Sequence, residues 1–261
     1  MQLEVISQTP AQAKFKTPLL FVHGAWHGAW CWNEHFLPWF AERGFEVHAL
    51  SLRGHGKSDD GAGIRWHSGA DYVADVEQIA SSLATRPVII GHSMGGYITQ
   101  KFLQEHNAPA AVILASVPPH GIIEFVLRYA LRHPLKMLRA LLTFDIYQII
   151  GSPQLTREAF FSDTIEAAEN QRYFEKMGQE SYRAMLDMLL LRLPQPKLVN
   201  TPMLVLGGEY DNIFSQAEVQ KTAAAYHAES HSFAMAHDMM LEPGWEQVCE
   251  RIIIWLKTQI D

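Results

Sequence analysis

Apolar residues along this chain come in two rhythms. Short unbroken runs end at glycine, proline or a polar turn: "LLFVHG" (Leu19–Gly24), "FEVHALSLRGHG" (Phe45–Gly56), "PVIIGHS" (Pro87–Ser93), "AAVILASVPP" (Ala110–Pro119) and "PMLVLGGEYD" (Pro202–Asp211). Runs without polar alternation are how strands buried on both faces read. Between them lie stretches with helical spacing. "WNEHFLPWFAERG" closes on a glycine C-cap signal. "SGADYVADVEQIASSL" sets Tyr72, Val76, Ile79, Ala80 and Leu83 on one stripe. "GGYITQKFLQEH", "SQAEVQKTAAAYH" and "GWEQVCERIIIWLKTQI" follow. Strands alternating with helices predict right-handed crossovers and a mostly parallel central sheet flanked by helices, an α/β fold. The first residues are expected to add antiparallel edge strands.

One interval breaks the alternation. From Pro119 to Leu198, about eighty residues carry no strand pattern, far more than a strand-to-helix loop needs. The stretch is helical and apolar, as in "IIEFVLRYALRHPLKMLRALL" and "ESYRAMLDMLLLRL". It reads as an inserted helical cap, residues 119–198, with residues 1–118 and 199–261 forming one core. "RLPQPKLVNTP" serves as the return linker.

Composition narrows the partners. At 48% hydrophobic and 19% charged, the 261 residues suit a globular domain with a full core. Acidic residues outnumber basic ones, 28 to 21, and no basic block occurs, which argues against nucleic acid. No uncharged apolar run reaches about 18 residues, so no stable membrane insertion is expected, and no basic amphipathic helix stands out. The start lacks the pattern of a signal peptide. Cys31 and Cys249 are far apart and in no paired motif, which fits a cytoplasmic protein.

The chemistry concentrates at Gly91-His92-Ser93-Met94-Gly95, a G-x-S-x-G motif between a predicted strand and a predicted helix. A nucleophile on so sharp a turn needs small neighbours two residues to either side, because strand and helix must approach there. A nucleotide-binding turn is the competing reading, but G-x-G-x-x-G spacing is missing and no Lys-Ser/Thr pair follows a glycine. A serine hydroxyl needs a base and an orienting acid. In chain order the acid comes next. Asp211 ends the fifth strand, on the ligand side of a parallel sheet, and Glu209 is its rival. The base comes last. His227 ends a helical pattern and His231 sits in a strand-like run, so His237, in the loop "FAMAHDMMLEPGW", is the candidate base. Asp238 reads as a local cap. For the oxyanion, Met94 supplies one amide. Ala25, after His23-Gly24, supplies the second, with Trp26 as its alternative. Trp26, His27, Phe125 and Tyr129 are candidate pocket residues.

These motifs, in this order, resemble the α/β-hydrolase superfamily over essentially the whole chain: the serine turn, "HGAW", "LRGHGKSD" and "AHDMMLEPGW". "HGAWHGAWCW" is similar to the HGxxHGAW signature of the plant methylesterase and hydroxynitrile lyase branch and its bacterial esterase relatives. "LRGHGKSD" resembles a segment common in esterases, lipases and cofactor-free haloperoxidases, and Arg53 and His55 within it are read as structural. The resemblance implies a triad of Ser93, Asp211 and His237 with an oxyanion hole at Ala25 and Met94. The lyase pattern has threonine after the HG-like dipeptide and lysine beside the histidine, where this chain has Ala25 and Asp238. Epoxide hydrolases and haloalkane dehalogenases carry aspartate where Ser93 stands. The expectation is therefore a carboxylic-ester hydrolase acting on small to medium lipophilic esters. It needs no metal or cofactor and acts as a monomer or homodimer. Acyl transfer, amide or carbon–carbon cleavage, cyanohydrin cleavage and a non-catalytic ligand receptor are the alternatives.

Overall fold

Every residue of Leu19–Val22, Val47–Leu50, Val88–His92, Ala111–Leu114 and Met203–Gly208 is buried, and these segments form the centre of the sheet. The computed structural model describes residues 1–260. In chain order the first half contains β1 (Val5–Gln8), β2 (Leu19–Val22), α1 (Trp30–Asn33), α2 (Phe36–Glu42), β3 (Val47–Leu50), α3 (Gly69–Ser82), β4 (Val88–His92), α4 (Met94–Phe102) and β5 (Ala111–Leu114). Five helices follow with no strand between them: α5 (Ile123–Arg132), α6 (Pro134–Thr143), α7 (Pro153–Phe160), α8 (Ala167–Lys176) and α9 (Tyr182–Leu186). The chain then returns through β6 (Met203–Gly208), α10 (Gln216–Ala225), β7 (Glu229–Phe233) and α11 (Trp245–Leu256).

The seven strands are ordered β1-β3-β2-β4-β5-β6-β7, all parallel except β1, which pairs antiparallel with β3 at the edge. The path steps from β2 outward to β3, then crosses back to β4. The crevice at the carboxyl ends of β2 and β4 is therefore the topological switch point, where open parallel sheets bind ligands. Register makes this concrete. Val22 pairs with Gly91, so the loops after both strands leave the sheet side by side.

Two predicted helices are split, each by a proline. Within "WNEHFLPWFAERG" the helix restarts at Phe36, which puts Pro38 in the first turn, where its missing N–H is not needed. That helix ends at Gly44, with φ 99°, as the C-cap signal predicts. Pro134 likewise opens α6 and divides it from α5. On α3 the predicted stripe of Tyr72, Val76, Ile79 and Ala80 is buried, while Leu83 falls just beyond the helix and is only half-buried. No helix among the described residues is long and apolar enough to cross a membrane.

Candidate active site

Ser93 sits between β4 and α4 with φ 51° and ψ −115°, a conformation that costs a non-glycine residue roughly 1–3 kcal/mol. The surroundings enforce it. The Ser93 amide donates to Leu114 O at 3.0 Å, and its carbonyl accepts from Val117 at 3.3 Å. A Cβ on Gly91 would run into the Gly95 carbonyl, and one on Gly95 into the carbonyls of Val22 and His23. The turn tolerates only glycine there because the helix lies directly on the strand ends.

Asp211 and His237 come from loops that the sheet edge brings together. Beyond β6 and β7 the Glu209 amide donates to Phe233 O (2.8 Å) and Tyr210 N to Met235 O (2.9 Å). Asp211 Oδ1 accepts from the amides of Ile213 (2.7 Å) and Phe214 (3.0 Å). That leaves Oδ2 for His237 Nδ1 at 2.8 Å, with both side chains fully buried. Glu209 is exposed and takes no part. Burial alone would push the His237 imidazole down, but the Asp211 charge and hydrogen bond, with Asp238 nearby, lift it above its ordinary value. Its Nε2 is buried without a hydrogen-bond partner among the described residues. The His92 ring, next to Ser93 in sequence, lies 4.8 Å from the His237 ring, which sets His237 beside the serine turn.

Asp238 is not a local cap. It is fully buried, and its Oδ2 accepts from His27 Nε2 at 3.0 Å, while His92 Nε2 lies 3.6 Å from its Oδ1. Burial would raise the Asp238 carboxyl, but His27, His92 and His237 hold it below the usual carboxylate range. Desolvation, helped by His237, pushes His92 down to about 3. A neutral His92 with Nδ1 unpartnered carries its proton on Nε2 and donates it to the His237 carbonyl, 3.1 Å away. The histidine loop is thus held from behind. Asp238 N also donates to Phe160 O (3.0 Å), and the buried Glu242 takes the Ala236 amide (3.2 Å).

His27 therefore does not line the pocket. Its ring is 2% exposed, with Nδ1 on Ala25 O (2.7 Å) and Nε2 on Asp238. Tyr129 is also displaced from the expectation. It gives its hydroxyl to Ile149 O and borders a neighbouring cavity of about 310 Å³ lined by Arg128, Arg132 and Glu158. Ser93, Ala25, Met94, Trp26 and Phe125 instead share a narrow apolar cavity of about 50 Å³ with methionines and isoleucines from the helical segment between β5 and β6. Phe125 and Ile213 border both cavities.

Of the two alternative second donors, the Trp26 amide is occupied by Glu180 Oε2, at 3.1 Å. Neither the Ala25 nor the Met94 amide has a hydrogen-bond partner among the described residues. Glu180 gave no signal in the sequence, because a lone glutamate in a long helical insertion marks nothing. It is 3% exposed and also meets His55 Nε2 (3.0 Å), Tyr72 Oη (3.1 Å) and the Ser181 amide. Burial would raise the Glu180 carboxyl, yet His55 and the two amides hold it low. Burial would likewise lower His55, but Glu180 and the Arg53 carbonyl lift it. Arg53 is tied to Asp75 and Asp71, so the "LRGHG" segment is structural scaffolding.

Two groups of three side chains with metal-ligand chemistry occur among the described residues: His92, His237 and Asp238, and His120, Glu124 and Glu218. The first group is already engaged in the hydrogen bonds that brace the histidine loop.

A family model described as "Alpha/beta hydrolase family" matches residues 19–251. Among characterised proteins, the chain is 34% identical over 107 residues to a non-heme haloperoxidase of Rhodococcus erythropolis, covering 39% of this chain and 38% of that protein. It is 33% identical over 88 residues to methylesterase 2 of Arabidopsis thaliana, 33% of each. It is 26% identical over 206 residues to epoxide hydrolase 4 of Mus musculus, 77% of this chain and 54% of that one. The chain thus spans well under half the length of the first two of these relatives. Solved structures that share its fold include an esterase from Thermogutta terrifontis (TM-score 0.75, 17% identity, 99% of this chain and 94% of that one) and the enol-lactonase from Burkholderia xenovorans LB400 (TM-score 0.73, 16% identity, 98% and 96%).

Proposed function

The chain belongs to the alpha/beta hydrolase family, and from that premise we propose that it is a serine hydrolase of lipophilic carboxylic esters. One observation carries the reading: a strained, glycine-flanked Ser93 opens into an apolar cavity beside a histidine whose Nδ1 is bound to a buried aspartate and whose Nε2 is unpartnered. In this mechanism Ser93 Oγ attacks the ester carbonyl carbon and gives its proton to His237 Nε2. Asp211 fixes the tautomer and stabilises the imidazolium. The carbonyl oxygen becomes an oxyanion held by the amides of Ala25 and Met94, with the N-terminus of α4 behind them. Collapse expels the alcohol, which takes the proton from His237. Water, deprotonated by the same imidazole, then hydrolyses the acyl-serine and frees the acid.

The helical insertion acts in this reading as a cap that shapes the acyl site. Met137, Met185, Met188, Ile146 and Ile149 face the cavity and present almost no polar surface. The substrate's acyl part is therefore apolar. The test is a panel of aryl esters from acetyl to palmitoyl, with Ser93→Ala as control, alongside labelling by a fluorophosphonate. Turnover and single-site labelling that both vanish in Ser93→Ala are expected. A flat zero across the panel, or labelling that persists in Ser93→Ala, overturns the reading.

A further inference from the structure

The helices α5 and α6 turn one face to the cavity and the other to solvent, and the solvent face is rich in large apolar side chains as well as basic ones. Phe125, Val126 and Met137 point inward and line the Ser93 cavity. On the outside of α5, Leu127 and Leu131 form a stripe at four-residue spacing. On α6, Leu135, Leu138 and Leu142 form another, at spacings of three and four. Leu131 is 86% exposed, Leu135 79% and Leu142 71%, as open as charged surface residues. The patch extends at the end of α6, where the exposed Phe144 contacts the 60%-exposed Trp66 (ring centroids 6.0 Å). At the other end, the Ile122 amide donates to Met188 O, which brings the exposed Leu190 and Leu191 alongside. So many large apolar side chains exposed on two neighbouring helices mark an interaction surface.

Charge identifies what covers it. The chain as a whole carries −7. The α5–α6 segment is the opposite, with Arg128, Arg132, Lys136 and Arg139 against the single Glu124, so the basic amphipathic helices not picked out in the sequence are present in the fold. Arg128 and Arg132 reach Glu218 and Glu158, but no acidic group among the described residues pairs with Lys136 or Arg139, which are exposed amid the leucines. We infer that this face docks on an anionic lipid surface, with the leucines entering the acyl boundary and Lys136 and Arg139 at the headgroups. Trp66 at the margin suits the interfacial level. A second copy of the chain fits less well, because two-fold pairing of the same face brings two net-positive segments together. Docking there would hold the roof of the Ser93 cavity on the membrane, so that a lipophilic substrate passes from bilayer to cavity without crossing water. That last step rests on the proposed ester hydrolysis; the docking does not.

The test is sedimentation of the Ser93→Ala protein with phosphatidylcholine vesicles, with and without phosphatidylglycerol, so that binding is read without turnover. Binding to the anionic vesicles is expected. Leu131→Glu and Leu135→Glu should each weaken it by about tenfold. Lys136→Gln and Arg139→Gln should each weaken it by about fivefold on anionic vesicles and little on neutral ones. In the chain with Ser93 restored, the leucine variants keep wild-type melting and wild-type turnover of a water-soluble ester, which separates docking from folding and from the hydrolase reading. Absence of vesicle binding, or binding that these variants leave unchanged, overturns the inference. So does a lipid-free dimer that Leu131→Glu converts to monomer without any vesicle binding, which would assign the face to a second copy.

Discussion

The Glu180 carboxylate accepts the Trp26 amide at 3.1 Å, joining the helical insertion to the loop that carries the candidate oxyanion donor Ala25. Trp26 holds φ 65°, so its backbone needs an external restraint, and Glu180 supplies one that His55 and Tyr72 fix in turn. Replacing Glu180 by Ala strands a buried His55 and a buried amide. The expected cost is about 3–5 kcal/mol of stability, read by urea unfolding. On a soluble ester, kcat should fall more than KM rises, because the second oxyanion donor loses its alignment. A kcat equal to wild type in folded Glu180→Ala would show that the restraint is structural only.

The same pair sets a pH window for stability. His55 is raised in the fold, so its contribution is complete below its ordinary value of 6.5 and fades as pH climbs through the higher folded value. Glu180 is lowered, so its contribution is complete above its ordinary value of 4.5 and fades as pH falls through the lower folded value. The stability gap between wild type and His55→Asn should therefore be widest between these two ordinary values. A gap that widens steadily on the alkaline side contradicts the pairing.

In the proposed mechanism His237 must be neutral to accept the serine proton, and its imidazole is raised by Asp211. Activity should rise with pH along a single ionisation whose midpoint lies above the ordinary value of 6.5, and then level off. Stopped-flow or steady-state kcat/KM across pH reads this directly. A limb centred below that value would remove His237 from the role of base.

Asp211 and Asp238 flank the same histidine and should separate cleanly. Asp211→Asn leaves shape intact but reverses the tautomer, so a fall in kcat of roughly four orders of magnitude is expected, as in comparable triads. Asp238→Asn removes the charge that faces His27 and His92, and its loss should show mainly as lower melting temperature with a much smaller kcat change. Equal kcat losses in the two variants would refute the division of labour.

Gly95→Ala tests the turn. The added methyl meets the carbonyls of Val22 and His23, both backbone, so nothing flexible can yield. A loss of several kcal/mol, or failure to fold, is expected, in keeping with overpacking at a rigid site. A melting curve matching wild type would mean that helix and strand can part there at little cost.

Strand–helix alternation, the G-x-S-x-G turn between a strand and a helix, and the Asp211 and His237 that the fold pairs at 2.8 Å were all legible in the sequence. They follow from short-range rules: period, glycine where backbones touch, and a loop at a strand's end. The long helical interval was legible as well, through the absence of any strand pattern between Pro119 and Leu198. Tertiary structure alone decided the rest. His27 turned from the pocket to Asp238, Tyr129 went to a neighbouring cavity, and Glu180 reached the Trp26 amide, 154 positions away in the chain. Only packing showed that the inward face of α5 and α6 is occupied while their leucines face solvent. A polar side chain's role depends on which partner it meets when water is removed, and an apolar one's on which side of the helix is covered. Both are settled by residues far apart in sequence, so no local pattern encodes them.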